Sequence, residues 1–480
     1  MPGAVRHLRF REIHARPRWL VSFGKTWRFM ALLIFISLLK GSSVTNMNLW
    51  KAFVPRLWIL AICGLGLFAS TPVDAEDRGI ADFPALSPKT DWPWWRGPSR
   101  NGYAQPDAQP PTEFSASNHV KWKAQVPGRG HGSPVVVGSK VFLPTADEAA
   151  QIHSVIAFDR NTGKKLWETE VNRGAFPENN HPKNTEASPT IACDGERLFI
   201  SFYHHDQVEL IALTLDGKVS WRRFAGRFKP MRFEYGYAPS PLLYQNSVIV
   251  SAEWEGESFI AAFDRQTGKP LWKTPRAGML TFSSPVIAHV AGKDQLLISG
   301  QEKVSAYNPT TGKLLWSTPG TTMATCGTMV WEGDVVVASG GYPKAETIAV
   351  KADGSGKVLW KNNQKCYEQS MILIDGYVYA LTDNGVMFCW NAETGKEMWK
   401  QRLTGPVSAS PVYAGGNIYW ANELGTMYVF KPNPQKYEEV ARNTLGNSTF
   451  ASPAVVGKEL FLRVGEEAGG SRQEWLYCLE

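Results

Sequence analysis

From residue 120 to the end of the chain, short apolar runs alternate with turns rich in Gly, Asp and Asn. Six of these runs share one unit, an apolar strand, a turn, a Gly and a second strand that ends in Trp, as in IAFDRNTGKKLW and IAAFDRQTGKPLW. The units end at Trp167, Trp221, Trp272, Trp316, Trp360 and Trp399, each with a Gly four positions earlier. A turn side chain that bonds backbone amides and a Gly that accepts positive φ are typical of a β-hairpin. Each unit therefore predicts a hairpin whose Trp packs between neighbouring sheets.

A second signal precedes most of the hairpins, namely Ser-Pro followed by another apolar strand. It occurs at residues 133–134, 188–189, 240–241, 284–285, 410–411 and 452–453. The two signals together give four strands per unit, and a period of roughly 40–50 residues with four strands is typical of a propeller blade.

The last unit stops at Glu480, before its outer strand. The segment Val120–Val126 resembles the hairpin strand Lys165–Val171 and carries Trp122 at the matching position. We therefore predict an all-β fold, an eight-bladed β-propeller with four-stranded antiparallel blades, in which strand 120–126 closes the last blade and removes an open sheet edge. Seven blades remain the alternative.

The repeated A-x-D-x-x-T-G-x-x-x-W pattern, clearest in AFDRNTGKKLW and AFDRQTGKPLW, resembles the tryptophan-docking repeat of the pyrroloquinoline-quinone-like propeller family. That family includes quinoprotein alcohol dehydrogenases and BamB-type outer-membrane assembly propellers. The segment DWPWWRGPSRNG (Asp91–Gly102) is also similar to the N-terminal signature of secreted planctomycete propellers. The resemblance implies the fold over residues 120–480, but it does not imply a quinone, because many members of the family bind none.

Composition agrees with many short strands joined by tight turns. Aromatic residues make up 12% of the chain, with 19 Trp, 43 Gly and 31 Pro, which excludes a disordered chain of low hydrophobicity. The net charge of +7 comes from residues 1–75, which carry ten Lys and Arg against two acids. Because the remainder is close to neutral, charge gives no reason to expect a nucleic-acid partner.

Residues 1–75 contain two apolar runs, Phe29–Leu39 and Leu57–Ala69, and both are too short to span a bilayer. The second run lies between basic residues and a small-residue site, so we predict a signal peptide that is cut near Ala75 and a true translation start at Met47. The predicted organisation is a leader (1–75), an extension (76–119) and the propeller (120–480). The product would be a periplasmic or secreted monomer; an uncleaved leader that anchors the protein in the membrane is the alternative.

The cysteines give no sign of a metal site or a disulfide framework. After the predicted cleavage five remain, widely spaced and without a C-x-x-C pair: Cys193, Cys326, Cys366, Cys389 and Cys478. Export would still permit one disulfide.

The innermost strands of a propeller converge on its axis, so the residues just before the Ser-Pro signals are expected to line a funnel. Three positions before the Pro, or before Met329 in its place, stand His131, Glu186, Ala238, Phe282, Cys326, Ser408 and Phe450. Such a mixture of polar groups with an apolar wall is typical of a ligand pocket, although a solvated channel mouth is the alternative. The loops before these strands add the candidates Arg129, Arg173, Arg227 and Tyr237. The arginines could attract an anionic ligand or peptide, or could simply be solvated loop charges.

The family resemblance also defines what an enzyme of this type would need. Quinoprotein dehydrogenases hold their quinone under a vicinal-Cys disulfide and bind calcium through carboxylate and amide oxygens. This sequence has no Cys-Cys pair and no C-x-x-C-H haem site, and Glu186 with its neighbouring Asn residues is a weak calcium signal. We therefore predict a binding or scaffold protein without cofactor, metal site or catalytic residues, which engages an envelope protein or a small ligand at the funnel. The alternative is a dehydrogenase dependent on the quinone and calcium.

Overall fold

A computed structural model describes residues 79–480. The predicted signal peptide, the start at Met47 and the cleavage near Ala75 lie outside these residues. The described part begins with a short 3₁₀ turn, Ile80–Asp82, and continues in 32 strands, β1 to β32. Within residues 79–480, no helix is long and apolar enough to cross a membrane.

The strands form eight antiparallel sheets of four, which confirms the predicted eight-bladed propeller. The first four blades are β2–β5 (Val135–Val137, Lys140–Asp147, Ile152–Asp159, Lys165–Arg173), β6–β9 (Ala192–Cys193, Arg197–His204, Gln207–Thr214, Val219–Arg227), β10–β13 (Leu242–Tyr244, Ser247–Ala252, Phe259–Asp264, Pro270–Pro275) and β14–β17 (Val286–Val290, Lys293–Gly300, Lys303–Tyr307, Leu314–Pro319). The next three are β18–β21 (Val330–Glu332, Val335–Gly340, Glu346–Lys351, Val358–Asn362), β22–β25 (Ile372–Ile374, Tyr377–Leu381, Val386–Asn391, Glu397–Arg402) and β26–β29 (Val412–Ala414, Asn417–Ala421, Thr426–Phe430, Glu439–Thr444).

The eighth blade combines the two ends of the described chain. It consists of β30 (Ala454–Val456), β31 (Glu459–Ala468), β32 (Ser471–Leu479) and β1 (Val120–Val126). Strand β1 pairs antiparallel with β32, with Trp122 opposite Cys478, as the sequence predicted.

Contacts between neighbouring blades explain the recurring Gly and Trp. The Trp122 ring lies so close to Gly163 of the first blade that a Cβ added there would be 2.6 Å from it, and Gly163 has φ 71°. Trp167, Trp221, Trp272 and Trp360 lie in the same way against the turn Gly of the next blade, whereas Trp316 lies farther from Gly356, whose added Cβ would be 3.9 Å away. The indole N–H groups of Trp122, Trp167, Trp221, Trp360 and Trp399 donate to backbone carbonyls of the next blade. The repeat thus encodes the interfaces between blades as well as the hairpins.

The Ser-Pro signals form a ring around the axis. One Ser or Thr from each blade belongs to this ring. At seven of the eight blade junctions, the backbone N–H of that residue donates to the side-chain hydroxyl of the ring residue in a neighbouring blade; for example, Ser452 N–H donates to Ser133 Oγ (3.1 Å). The hydroxyl at the remaining junction, Thr328 Oγ1, instead accepts the indole N–H of Trp95 (2.8 Å).

The extension before β1 is an integral part of the fold. Trp92 exchanges backbone hydrogen bonds with Val136, and the buried Arg96 donates to carbonyls just before the inner strands of two further blades. Pro93, Arg100, Asn101 and Gln109 bond backbone groups of four more blades, so residues 92–109 join seven of the eight blades. From the sequence alone, deletion of residues 76–115 is expected to be tolerated far better than deletion of residues 76–126; the burial of Trp92, Trp94 and Arg96 argues against that expectation.

Candidate functional site

A cavity of about 200 Å³ opens at the axis where the loops before the inner strands converge. Six of the predicted column residues line it: His131, Ala238, Phe282, Cys326, Ser408 and Phe450. The inner strands run from this column past the hydroxyl ring to the extension, and Trp95 of the extension also lines the cavity. The Trp95 ring lies at the end of the cavity nearest the extension, so it forms an aromatic base for the pocket.

A carboxylate that sequence reasoning missed lies in this cavity. Glu368 stands three residues before Met371, which takes the place of Pro in the sixth blade, so the column rule would have found it if Met371 had been treated like Met329. The Ser408 hydroxyl bonds the Glu368 carboxylate and also lies 2.7 Å from Glu423 Oε1. Ser408 therefore bridges two carboxylates from neighbouring blades.

Lys183 is the cation closest to this pair. Its Nζ donates to Glu423 Oε1 at 2.7 Å and lies 3.8 Å from Glu368 Oε2. Lys183 comes from a loop that carries no repeating pattern, whereas the turn with Glu423 matches the turn with Asp383 in the preceding blade. Neither residue belongs to the column before the inner strands, so the column rule does not find them. Burial raises the pKa of Glu368, although the Ser408 hydrogen bond and the Lys183 charge act against the rise. Burial disfavours the charged form of Lys183, yet its hydrogen bond to Glu423 leaves the pKa of the ammonium above its usual value.

Aromatic rings make up much of the remaining wall. His131 stacks on Phe450 with ring centroids 4.4 Å apart, and Tyr235 stacks on Phe282 at 6.4 Å. Burial, together with the charges of Arg129 and other arginines, lowers the pKa of His131 well below its usual value, so this ring is neutral. Burial also raises the pKa of the Cys326 thiol far above its usual value, which leaves Cys326 unreactive.

The other predicted site residues do not line the cavity. The Glu186 side chain turns away and accepts a hydrogen bond from Asn180 (2.6 Å), and burial raises its pKa to about 7. Tyr237 is buried and donates to the Ser251 carbonyl (2.8 Å).

The three predicted arginines do not converge on the cavity either. Arg129 lies 3.7 Å from Glu148, Arg173 pairs with Glu170 at 2.6 Å, and Arg227 is exposed. The charged groups that line the cavity are instead Glu368 and Lys183, and Glu423 pairs with Lys183 beside them. The structure therefore gives no support to the anion-attracting funnel that the arginines suggested.

The solved structures that this chain resembles share its fold. A europium-containing methanol dehydrogenase matches with a TM-score of 0.59 and 14% identity, covering 83% of this chain and 99% of that one. BamB from Moraxella catarrhalis matches with a TM-score of 0.53 and 14% identity, covering 74% of this chain and 96% of that one. At this identity the likeness shows the propeller fold alone.

The donor set of the cavity does not fit the quinone and calcium of the dehydrogenases. Pyrroloquinoline quinone is a tricarboxylate, whereas the charged lining of this cavity is one carboxylate, Glu368, and one ammonium, Lys183. The two carboxylates that calcium would need, Glu368 and Glu423, already pair with Lys183. Among residues 79–480, no three His, Cys, Asp or Glu side chains form a group that could hold a metal ion, and the five cysteines there are unpaired.

The sequence comparisons point to one family. BamB of Burkholderia pseudomallei (strain K96243) is 24% identical over 368 residues, covering 67% of this chain and 91% of that protein. BamB of Bordetella pertussis is 22% identical over 371 residues, covering 71% and 83%. The family model described as outer membrane protein assembly factor BamB matches residues 113–175, 151–385 and 344–468. Because these ranges span most of the chain, the protein belongs to the BamB family of β-propellers.

Proposed function

We propose that this protein is a binding or scaffold propeller of the cell envelope that engages a protein or a small ligand at its funnel. The observation that carries the proposal is the cavity itself. One column position from most blades, together with Trp95 of the extension, builds a single concave site at the axis. Its relatives are named as outer-membrane assembly factors, which supports a protein partner in the envelope.

The chemistry of the cavity supports binding rather than catalysis. The thiol of Cys326 and the ring of His131 are held in their neutral forms by burial, and the Ser408 hydroxyl lies within hydrogen-bond distance of two carboxylates. A site of this kind offers hydrogen bonds, charge and aromatic surface to a ligand. We further propose that the cavity takes up neither the quinone nor calcium, because its charges are complementary to neither.

Export and a monomeric state complete the proposal. Export rests on the leader in residues 1–75, with its predicted signal peptide and start at Met47. Under this proposal the folded part operates in the periplasm or outside the cell, without a nucleic-acid partner, and contacts a membrane only if the leader is retained.

A cavity-filling variant tests the proposed site. Ala238→Trp places a large ring inside the cavity, whereas Leu314→Trp adds the same ring on an exposed outer strand. Both variants are compared with the wild type in affinity purification from the native envelope, after their thermal stability has been checked. We expect Ala238→Trp to lose the partners that the wild type and Leu314→Trp retain. Equal recovery by all three proteins would refute binding at the funnel.

A further inference from the structure

The polar side of the funnel cavity carries an unbalanced charge. Glu368 and Glu423 provide two carboxylates, joined by the Ser408 hydroxyl, and Lys183 provides one ammonium. With both carboxylates ionised, this cluster of three charged side chains keeps one negative charge, while the nearest arginine charges act on His131 across the cavity wall. A second cation of unit charge would balance it, and a partly desolvated site strengthens that attraction relative to water.

Aromatic rings make up much of the rest of the cavity wall. Trp95, Tyr235, Phe282, Tyr367 and Phe450 line it. Aromatic faces attract ammonium and guanidinium groups through their quadrupole, and they also pack against the alkyl stem that carries such a group. Cavities that take drug-sized ligands measure roughly 300–1,000 Å³. At about 200 Å³, this cavity has room for one side chain or a small amine.

A path of aromatic rings leads into the cavity from the rim. Tyr342 and Phe233 contact each other edge to face, with centroids 5.1 Å apart, and Phe233 lies 5.5 Å from Tyr235. Tyr235 is 38% exposed and stacks on Phe282 inside. His131 also lines the cavity, and its buried ring nitrogen Nε2 has no hydrogen-bond partner among the described residues.

Lys183 lies in a loop without regular structure between β5 and β6. Its side chain is 38% exposed, while that of Glu423 is only 8% exposed. The Glu423 carboxylate is therefore buried, whereas the Lys183 side chain that pairs with it is partly accessible to solvent. A competing cation can displace Lys183 without unpacking a blade.

We propose that this cavity binds an organic monovalent cation, an ammonium or guanidinium group on an apolar stem, and that Lys183 is its internal substitute in the free protein. The inference rests on the proposed function and names the ligand chemistry of the same site. Two sources share this chemistry, a free amine and a Lys or Arg side chain of a bound protein segment.

Isothermal titration calorimetry tests the proposal with three probes: n-butylammonium, N-acetyl-lysine methylamide and butyrate. The proteins are the wild type, Lys183→Met, Glu368→Gln and, as a matched surface control, Glu170→Gln. We expect Lys183→Met to bind both cations at least about tenfold more tightly than the wild type, because a competing unit charge has been removed. Glu368→Gln should weaken cation binding, Glu170→Gln should leave it unchanged, and butyrate should not bind. Melting temperatures of all variants confirm that they are folded.

The two cations distinguish the sources. Tighter binding of N-acetyl-lysine methylamide indicates a protein side chain, and equal or tighter binding of n-butylammonium indicates a small amine. The proposal is overturned if a folded Lys183→Met binds neither cation, or if it binds butyrate as well. If Ala238→Trp nevertheless abolishes partner binding, the proposed function survives and only the cation is wrong; if it does not, both fail.

Discussion

Trp122 and Trp360 form a matched pair that tests how the ring is closed. Each side chain is 8% exposed, each indole N–H donates to a carbonyl of the next blade at 2.7 Å, and each ring lies 2.6 Å from a Cβ added to the neighbouring Gly. They differ in one respect: Trp360 belongs to a blade that is continuous in sequence, whereas Trp122 lies in β1, which joins the eighth blade from the other end of the chain.

Truncation to Ala removes a buried ring and leaves a carbonyl without its donor. Loss of a buried Trp costs about 3–5 kcal/mol of unfolding free energy. If β1 is held as firmly as an internal strand, Trp122→Ala and Trp360→Ala should both fall within this range and within about 1 kcal/mol of each other, the spread expected for the lost hydrogen bond. Urea unfolding followed by Trp fluorescence and by circular dichroism measures both values. A cost for Trp122→Ala below about 1 kcal/mol, with the full cost for Trp360→Ala, would refute closure by β1.

Three further predictions concern stability and processing. Burial raises the pKa of Glu186 to about 7, so the stability due to its protonated form is lost as the pH rises through 7. The unfolding free energy of Glu186→Gln should equal that of the wild type at pH 4 and exceed it at pH 9 by about 3 kcal/mol, whereas equal pH profiles in urea unfolding would contradict this. Deletion of residues 79–115 should give an insoluble or strongly destabilised protein, because Trp92, Trp94 and Arg96 are buried; a melting temperature equal to that of the full chain would show otherwise. N-terminal sequencing of the exported protein should find a start between residues 75 and 78, whereas a product that retains Met1 would exclude the predicted cleavage.

The sequence predicted the fold well because the same contacts recur in every blade. Each turn Gly and each Trp serves a local hairpin and also the neighbouring blade, so the period reports the tertiary structure. The column before the Ser-Pro signals identified six cavity residues for the same reason. Glu368 was missed because Met371 interrupts the signal. Glu186 was wrongly included because Thr190 takes the ring position in the second blade, so that Ser188 lines the cavity in its place.

The remaining parts of the site follow no pattern that runs through all the blades. Lys183 and Glu423 meet across 240 positions of sequence, a distance set by ring closure and loop conformation. Trp95 belongs to the extension, and its position in the cavity depends on how the extension packs against the blades. Non-repeating segments of this kind determine the chemistry of the cavity, so the fold could be predicted from the sequence while the charge of the site could not.

Photo-cross-linking from the rim of the cavity tests the central claim, that the funnel is the binding site, most directly. Benzoylphenylalanine replaces Tyr235, which lines the cavity and is 38% exposed, or Phe224, which is 58% exposed on the outer strand β9. After irradiation in the native envelope, mass spectrometry identifies the adducts. The account predicts a specific adduct from position 235 that disappears when Ala238→Trp is added, and no such adduct from position 224. Adducts from position 224 alone, or an adduct from position 235 that persists in the filled cavity, would contradict it.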